Sequence, residues 1–520
     1  MYPYQPGEAI AQARSRPWQD QLCAVGFPLL ATMLFMLSTR HGIGIWPDSV
    51  RYMNLSPMPW DAPLYPGLLQ MVAAAGMDIS AAAWGIGLVL TALNAFLTWH
   101  VLRVASGRTV PAAVGTALII IAPQSVGLYG LAMSEPLFIT MILATLAAFI
   151  RYVESDDKGW LYGIGIGVGL ASLTRFTGPA LGAAMALFLL IQPRRTLGER
   201  IANVARVALP SMLLFAGWAV VSELAAGRST GRPLEWLGNM TAGDWWLSFE
   251  ALTAWIVPGN VPGPIRGALF LIALGAGLAL VVRHARRALR AAAKGRADAG
   301  LIALPLAFFF FTYLAFMALA TAIEANLHLN SRYAYPIYGT SVMAVTIALA
   351  RVRMARGGTR WLRAALAGVA CIMIAGHAVR TAVRTHDVYR HGEGYASLSW
   401  RHSPAMAAVA ALPRDAVLYS NGADAIGYLL RRPARYIPMV FELRTGRDEP
   451  AFPYAAQLAR ARADLMRGDA YVVFLNKVDW RFYMPPEHEL ADRLKLIRVA
   501  RLSDGVIYRG APQKNASETQ

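Results

Sequence analysis

Charge is scarce in this chain of 520 residues. Asp, Glu, Lys and Arg make up 15% of it, against roughly 25% in an ordinary soluble domain. That deficit excludes a typical soluble enzyme and is what repeated membrane spans produce. Acids are scarcer still: 31 Asp and Glu face 49 Lys and Arg, a formal net charge of +18. In a soluble protein such an excess points to nucleic acid. Here the arginines cluster between hydrophobic segments, so they read as membrane-orientation signals, and no nucleic-acid partner is expected. Only two cysteines occur, Cys23 and Cys371, both inside apolar segments, which excludes a disulfide framework or a thiolate metal site. No His/Cys/Asp cluster has metal-ligand spacing, so no resident metal is expected. Tandem repeats are lacking. The glycine run 163–169 (GIGIGVG) has no preceding strand and lies in an apolar segment, where glycines serve close helix packing.

Long hydrophobic runs are abundant. A spanning helix needs about 20 largely apolar residues, and candidates lie near 21–38, 82–104, 110–129, 133–151, 160–175, 177–192, 203–225, 265–283, 301–322, 334–351 and 361–380. The pattern predicts an α-helical polytopic membrane protein of about eleven transmembrane helices. The segments 160–175 and 177–192 are short and meet at Arg175; they read as two tilted spans, the alternative being a re-entrant pair. Residues 1–20 are polar and no cleavage pattern follows the first apolar run, so 21–38 reads as a retained anchor. Cationic runs such as Arg283, Arg286, Arg287, Arg290, Lys294 and Arg296 fall in one set of loops. The alternate set carries only Arg40, Arg51, Arg175, Arg228, Arg232, Arg266 and Arg332. This bias predicts a cytoplasmic N-terminus, with loops 39–81 and 226–264 outside. From residue 381 helical and strand-like runs alternate. A turn at Asn421-Gly422 and a hairpin joined by Ser503-Asp504 complete the signature of an external α/β domain over 381–510. Residues 511–520 read as a disordered tail.

The stretch 46–66 carries two acids, Asp48 and Asp61, among Trp46, Tyr52, Trp60 and Tyr65. Aromatics of this kind collect at the membrane–water boundary. Pro47 is placed to open a short helix with Asp48 at its positive end. The alternative role for Asp48 is general base, a carboxylate in a partly dry cavity taking a proton from an attacking hydroxyl. Asp61 sits in a proline-rich turn and is the secondary acid, its alternative being turn chemistry. Glu135 precedes Pro136 at the start of a span, suited to that helix end or to orienting an acceptor or a basic partner. Arg175, between two apolar segments, needs an anion or a paired acid, and guanidinium suits phosphate. Within 324–339 lie Glu324, His328, Arg332, Tyr333 and Tyr335. Arg332 again suits phosphate, and His328 reads as a further donor to it, as a metal ligand, or as a plain surface or satisfied residue. The orientation above puts Asp48, Asp61, Glu135, Arg175, Glu324, His328 and Arg332 on one external face. Trp236, Trp245, Trp246 and Trp255 in loop 226–264 read either as an interfacial rim to a lipid-facing opening or as plain membrane anchors.

In order along the chain, PDSVRYM, APLYPGLLQ, MSEPLF, LTRFTGPAL and SRYAYPIYG resemble the GT-C class of integral-membrane glycosyltransferases. The likeness is to bacterial relatives of protein mannosyltransferases and of the lipid A aminoarabinose transferase, whose C-terminal part carries an element like Tyr419-Ser420-Asn421. The resemblance implies a GT-C-like membrane domain over 1–380 and a bacterial inner-membrane location with the α/β domain periplasmic. It implies a polyprenyl-phosphate sugar donor and a glycan, lipid or protein acceptor. It also implies inverting chemistry, with Asp48 in the place of the catalytic acid. Many relatives have two adjacent acids there. This chain has Asp48-Ser49, which leaves divalent-metal use open. A flippase for a polyprenyl-linked sugar is the rival from another class, but no paired halves with broken helices are evident. A ligase or polymerase using a diphosphate-linked glycan is the nearer rival. An assembly scaffold with basic loops on anionic lipid would need no set of acids and arginines.

Overall fold

The computed structural model describes residues 17–55, 61–227, 236, 240–257, 259–295, 299–351 and 359–511. The tail from 512 on, and Trp60, lie outside them. Among these residues fifteen α-helices precede residue 392: α1 (Pro17–Ser38), α2 (Pro47–Tyr52), α3 (Leu64–Ala74), α4 (Ile79–Ser106), α5 (Thr109–Ile120), α6 (Pro123–Tyr129), α7 (Glu135–Ser155), α8 (Gly159–Thr174), α9 (Pro179–Leu190), α10 (Leu197–Ala226), α11 (Ala242–Thr253), α12 (Gly263–Ala292), α13 (Ala303–Ile323), α14 (Ser331–Arg351) and α15 (Thr359–His391). Their ends follow the sequence. Asp78 accepts from the backbone N–H groups of Ser80 and Ala81 to start α4, and α4 stops at Gly107 with φ +68°. Thr196 and Glu199 form a capping box at α10.

Among the described residues eight helices are long and apolar enough to cross a membrane, or nine if α5 and α6 count as one broken span bent by 60°. The break falls at Pro123, whose ring cannot continue the preceding helix. The eleven apolar segments read from the sequence each fall on a helix. The difference in number comes from α8 and α9, at 16 and 12 residues, too short to cross unaided. The glycine run packs as its composition implies: a Cβ at Gly165 would strike the Val207 carbonyl oxygen, and one at Gly169 would lie 2.7 Å from Leu214, both on α10.

Beyond α15 the chain builds a five-stranded sheet of order β2-β1-β3-β5-β4. β1 (Val417–Ser420) runs parallel to β2 (Arg435–Tyr436) and β3 (Ala470–Leu475). β4 (Leu496–Leu502) and β5 (Gly505–Gly510) form the expected antiparallel hairpin, with β5 on β3. The helices α16 (Leu398–Arg401), α17 (Pro404–Ala410), α18 (Ala423–Leu430), α19 (Tyr454–Met466) and α20 (Glu487–Leu494) surround it. Strand side chains alternate between faces. Leu418, Val473, Leu475 and Ile507 join one apolar cluster, and Tyr419, Val472, Phe474, Val506 and Tyr508 another. Asn421 ties strand ends together, donating to the Leu475 and Val478 carbonyls and accepting from the Leu475 N–H. Tyr419 donates to Asp464 at 2.6 Å. The Tyr-Ser-Asn element therefore works inside this sheet.

The first cluster does not stop at the sheet. It takes in Val50 and Tyr52 from α2 and Met53 just after it, together with Leu131, Met133 and Leu137 from the bundle. The segment leading into α2 is pinned from both sides. Gly44 donates its N–H to the Gly130 carbonyl at 2.8 Å, and the Ile45 carbonyl accepts from Tyr395 N–H at 2.8 Å. Gly394, at φ +58°, sits so close that a Cβ there would strike the Ile45 carbonyl oxygen. The expected boundary at 380 falls inside α15, and this clamp joins the chain beyond α15 directly to the helix bearing Asp48.

Candidate active site

Alternating acids and arginines run through the end of the bundle that faces the sheet unit. α2 opens with Pro47 at its first position, and Ser49 Oγ accepts from Trp46 N–H at 3.1 Å. One helical turn then brings Asp48 Oδ1 within 2.8 Å of Arg51 Nη2. Arg51 also grips Asp61 through two bonds of 2.9 and 3.1 Å. Asp48 Oδ2 accepts from Arg332 Nη1 at 2.8 Å, and Arg332 Nε donates to Glu135 Oε1 at 2.8 Å. The same Glu135 oxygen lies 2.8 Å from Arg175 Nη1, which also donates to Ser134 Oγ at 3.2 Å. The order is Asp61–Arg51–Asp48–Arg332–Glu135–Arg175, three acids and three bases, each between opposite charges or ending on one.

Exposure along the ladder is greatest at its middle and least at Glu135. Asp48 and Arg332 are each 27% exposed, Arg175 is 9% exposed, and Glu135 is wholly buried. Burying charges this deeply is tolerable only because each is paired. Among the described residues, Glu135 Oε2 and Arg175 Nε are nonetheless buried without a hydrogen-bond partner, so the deep end holds unused bonding capacity. Tyr333 lies beside it, with its ring centre 5.1 Å from the Arg175 guanidinium and 5.9 Å from that of Arg332. Burial on its own pushes the Asp48 carboxyl up, but the Arg51 and Arg332 guanidiniums overcome this and hold it below the usual carboxylate range.

The ladder opens onto a cavity of about 820 Å³. Asp48, Arg51, Asp61, Arg175 and Arg332 line it, with Phe176, Phe316 and Met317 as an apolar wall. Tyr436, Trp480, Arg481 and Tyr483 face it from the sheet unit. Two segments that line it are tied together: Ala325 N–H donates to the Arg444 carbonyl at 2.6 Å, the Asn326 side-chain amide donates to the Leu443 carbonyl at 2.8 Å, and the Arg444 guanidinium pairs with Glu324 at 3.4 Å.

All seven polar residues that the sequence put on one face meet at this cavity: six line it and Glu135 lies directly beneath. They do not all meet each other. His328 stands apart from the ladder, its Nδ1 3.8 Å from Asp244 of α11, and Glu324 is tied to Arg444. Asp61 bonds Arg51. Tyr335 turns away, hydrogen-bonded to Ser125 at 2.8 Å. Arg51 was legible only as a loop charge, although its spacing of three from Asp48 on a short helix was the available signal. Trp480, Arg481 and Tyr483 carried none, because only the tertiary fold brings the sheet unit over α2. Among the tryptophans of 226–264, Trp236, Trp245 and Trp246 are exposed and Trp255 is buried. Among the described residues, no group of three or more His, Cys, Asp or Glu could hold a metal ion.

The fold is that of the GT-C class of integral-membrane glycosyltransferases, a polytopic helix bundle with a small C-terminal sheet. Residues 61–220 match the family model of dolichyl-phosphate-mannose-protein mannosyltransferases. Among solved structures, ArnT from Cupriavidus metallidurans bound to undecaprenyl phosphate superposes with a TM-score of 0.57 at 16% identity, covering 94% of this chain and 99% of that one. Its apo state gives 0.55 at 15% identity with the same coverage. The arabinofuranosyltransferase AftD from Mycobacteria gives 0.53 at 14% identity, covering 98% of this chain and 41% of that one. No curated protein matches the chain in sequence.

Proposed function

We propose that this chain is a membrane glycosyltransferase that moves a sugar from a polyprenyl-phosphate-linked donor to an acceptor hydroxyl. The observation that carries this reading is the arrangement at the cavity: a carboxylate, Asp48, sharing Arg332 with a buried acid–arginine ladder beside an apolar wall. Such a donor needs cations for its phosphate, an apolar surface for its tail and a base for the attacking hydroxyl, and one cavity supplies all three. The match over residues 61–220 and the ArnT-like fold support the same class, and the undecaprenyl phosphate bound to ArnT supports a polyprenyl phosphate as the lipid.

In this mechanism the acceptor O–H gives its proton to Asp48 as its oxygen attacks the anomeric carbon. The bond from that carbon to the phosphate oxygen breaks in line, and polyprenyl phosphate leaves with the electron pair. Arg175 and Arg332 meet the growing negative charge on the phosphate, with His328 as an outer donor; Glu135 keeps these two arginines in place, and Asp61 holds Arg51. A carboxylate held by two guanidiniums is a weak base. The incoming phosphate competes for Arg332, loosens its hold on Asp48 and raises the basicity of the carboxylate as the donor arrives. The loop charges support a cytoplasmic N-terminus with the cavity on the outer face of a bacterial inner membrane.

Incubating the purified protein with radiolabelled polyprenyl-phosphate sugars and following sugar into water- or lipid-soluble product tests the reading. Transfer without net movement of donor across a vesicle is the expected result. Movement without bond cleavage would instead establish a flippase, and turnover only of diphosphate-linked donors would establish the ligase reading.

A further inference from the structure

Trp480 presents an aromatic surface that the transfer chemistry does not use. It lines the cavity and is 44% exposed. Behind it the Arg481 guanidinium lies 4.4 Å from the Trp480 ring centre and 4.7 Å from that of Tyr436, a cation layered against two rings. Arg481 is itself fixed: it donates to Asp424 Oδ2 at 2.7 Å and to Tyr483 Oη at 3.2 Å. Tyr395 also donates to Asp424, at 2.9 Å. Asp424 and Arg481 are 1% and 7% exposed, so the support is buried and rigid while the surface it supports faces the void. Glu442, Arg444 and Asn326 lie around the same cavity.

A rigid, half-open indole face in a cavity also lined by a carboxylate, a guanidinium and an amide matches one ligand chemistry closely. A pyranose ring presents a patch of C–H groups, electron-poor enough to pack on the negative face of an aromatic ring. Its hydroxyls need polar partners at the periphery. A peptide backbone has no comparable flat C–H face. The ladder and its apolar wall belong to the helix bundle, whereas Trp480 belongs to the sheet unit that faces them, so donor and ring ligand approach Asp48 from different walls. We propose that the Trp480 face is an acceptor subsite that stacks a hexopyranose ring and presents one of its hydroxyls to Asp48. This rests on the glycosyltransferase reading and names the acceptor as a sugar.

The test uses the full chain in detergent and in nanodiscs. Saturation-transfer difference NMR is recorded with methyl α-mannopyranoside, methyl β-glucopyranoside and a soluble core oligosaccharide. The expected result is saturation concentrated on the protons of one ring face, reduced at least tenfold in Trp480→Ala, kept in Trp480→Phe, and kept in Asp48→Asn. Displacement of the oligosaccharide by a glycolipid placed in the nanodisc identifies a lipid headgroup as the source of the ring. Binding undiminished by the glycolipid identifies a free glycan. Equal saturation in wild type and a folded Trp480→Ala overturns the subsite and leaves the transferase reading standing. So does an absence of sugar signal alongside transfer to a Ser/Thr peptide. Ring-face saturation with undiminished turnover in Asp48→Asn overturns the role of Asp48 and leaves the subsite.

Discussion

Asp48 and Arg332 lie 284 residues apart in sequence and are joined by a 2.8 Å hydrogen bond between Oδ2 and Nη1. That one bond ties the first loop after α1 to the start of α14, at the mouth of the cavity. It leaves Asp48 flanked by Arg51 on one oxygen and Arg332 on the other, so its basicity depends on what else competes for those guanidiniums.

The pH response follows from that competition. A carboxylate held below its ordinary value of about 3.9 contributes stability that is fully present above that value and lost as pH falls through the folded-state value. In the wild type Asp48 therefore stays ionised across neutral and mildly acidic pH, and it sets no acid limb there. Replacing Arg51 with Gln removes one of the two opposing cations, and burial then raises the carboxyl. The acid limb of kcat/KM for sugar transfer is expected to move to higher pH in Arg51→Gln. Superimposable pH profiles would show that Arg51 does not govern Asp48.

Glu135 is expected to matter for stability before chemistry. In Glu135→Ala, Arg175 loses its acidic partner at a site only 9% exposed. Removing one member of a buried pair costs about 3–5 kcal/mol. The melting temperature in detergent should fall accordingly, and adding Arg175→Met should recover part of the loss. If the double variant melts lower still, the charge of Arg175 is supported by something other than Glu135.

The clamp on the base helix offers a second structural test, outside the acid–arginine ladder. Gly394→Val forces a side chain against the Ile45 carbonyl at a positive-φ position. The segment before Asp48 must shift. Transfer should drop at least tenfold while donor binding, read by equilibrium retention of labelled polyprenyl-phosphate sugar, stays within a factor of about three, since the ladder arginines on the bundle are untouched. Equal loss of binding and turnover would mean that the clamp supports the whole cavity.

Much of this architecture is written in local sequence, because its physics is local. Apolar runs long enough to span become helices wherever they fall, and Asn-Gly and Ser-Asp turns announce the sheet unit. The short α8 and α9 are harder: apolar composition identifies them, but nothing local says whether 16 and 12 residues cross a membrane. Asp48, Arg175 and Arg332 stand out because charge in an apolar context needs a reason. Their order along the ladder does not, since pairing Arg332 with both Asp48 and Glu135 depends on how α2, α7 and α14 converge. Trp480 and Arg481 look like ordinary residues of a surface loop until the sheet unit is folded over α2.

The most direct measurement is single-turnover sugar transfer by Asp48→Asn, loaded with radiolabelled polyprenyl-phosphate sugar and compared with wild type at equal donor occupancy. Asn keeps the shape of the side chain but cannot accept the proton. Loss of a general base costs roughly 10²- to 10⁴-fold, so the transfer rate should fall by that factor with donor affinity changed by less than about fivefold. Transfer at the wild-type rate would contradict a general-base role for Asp48.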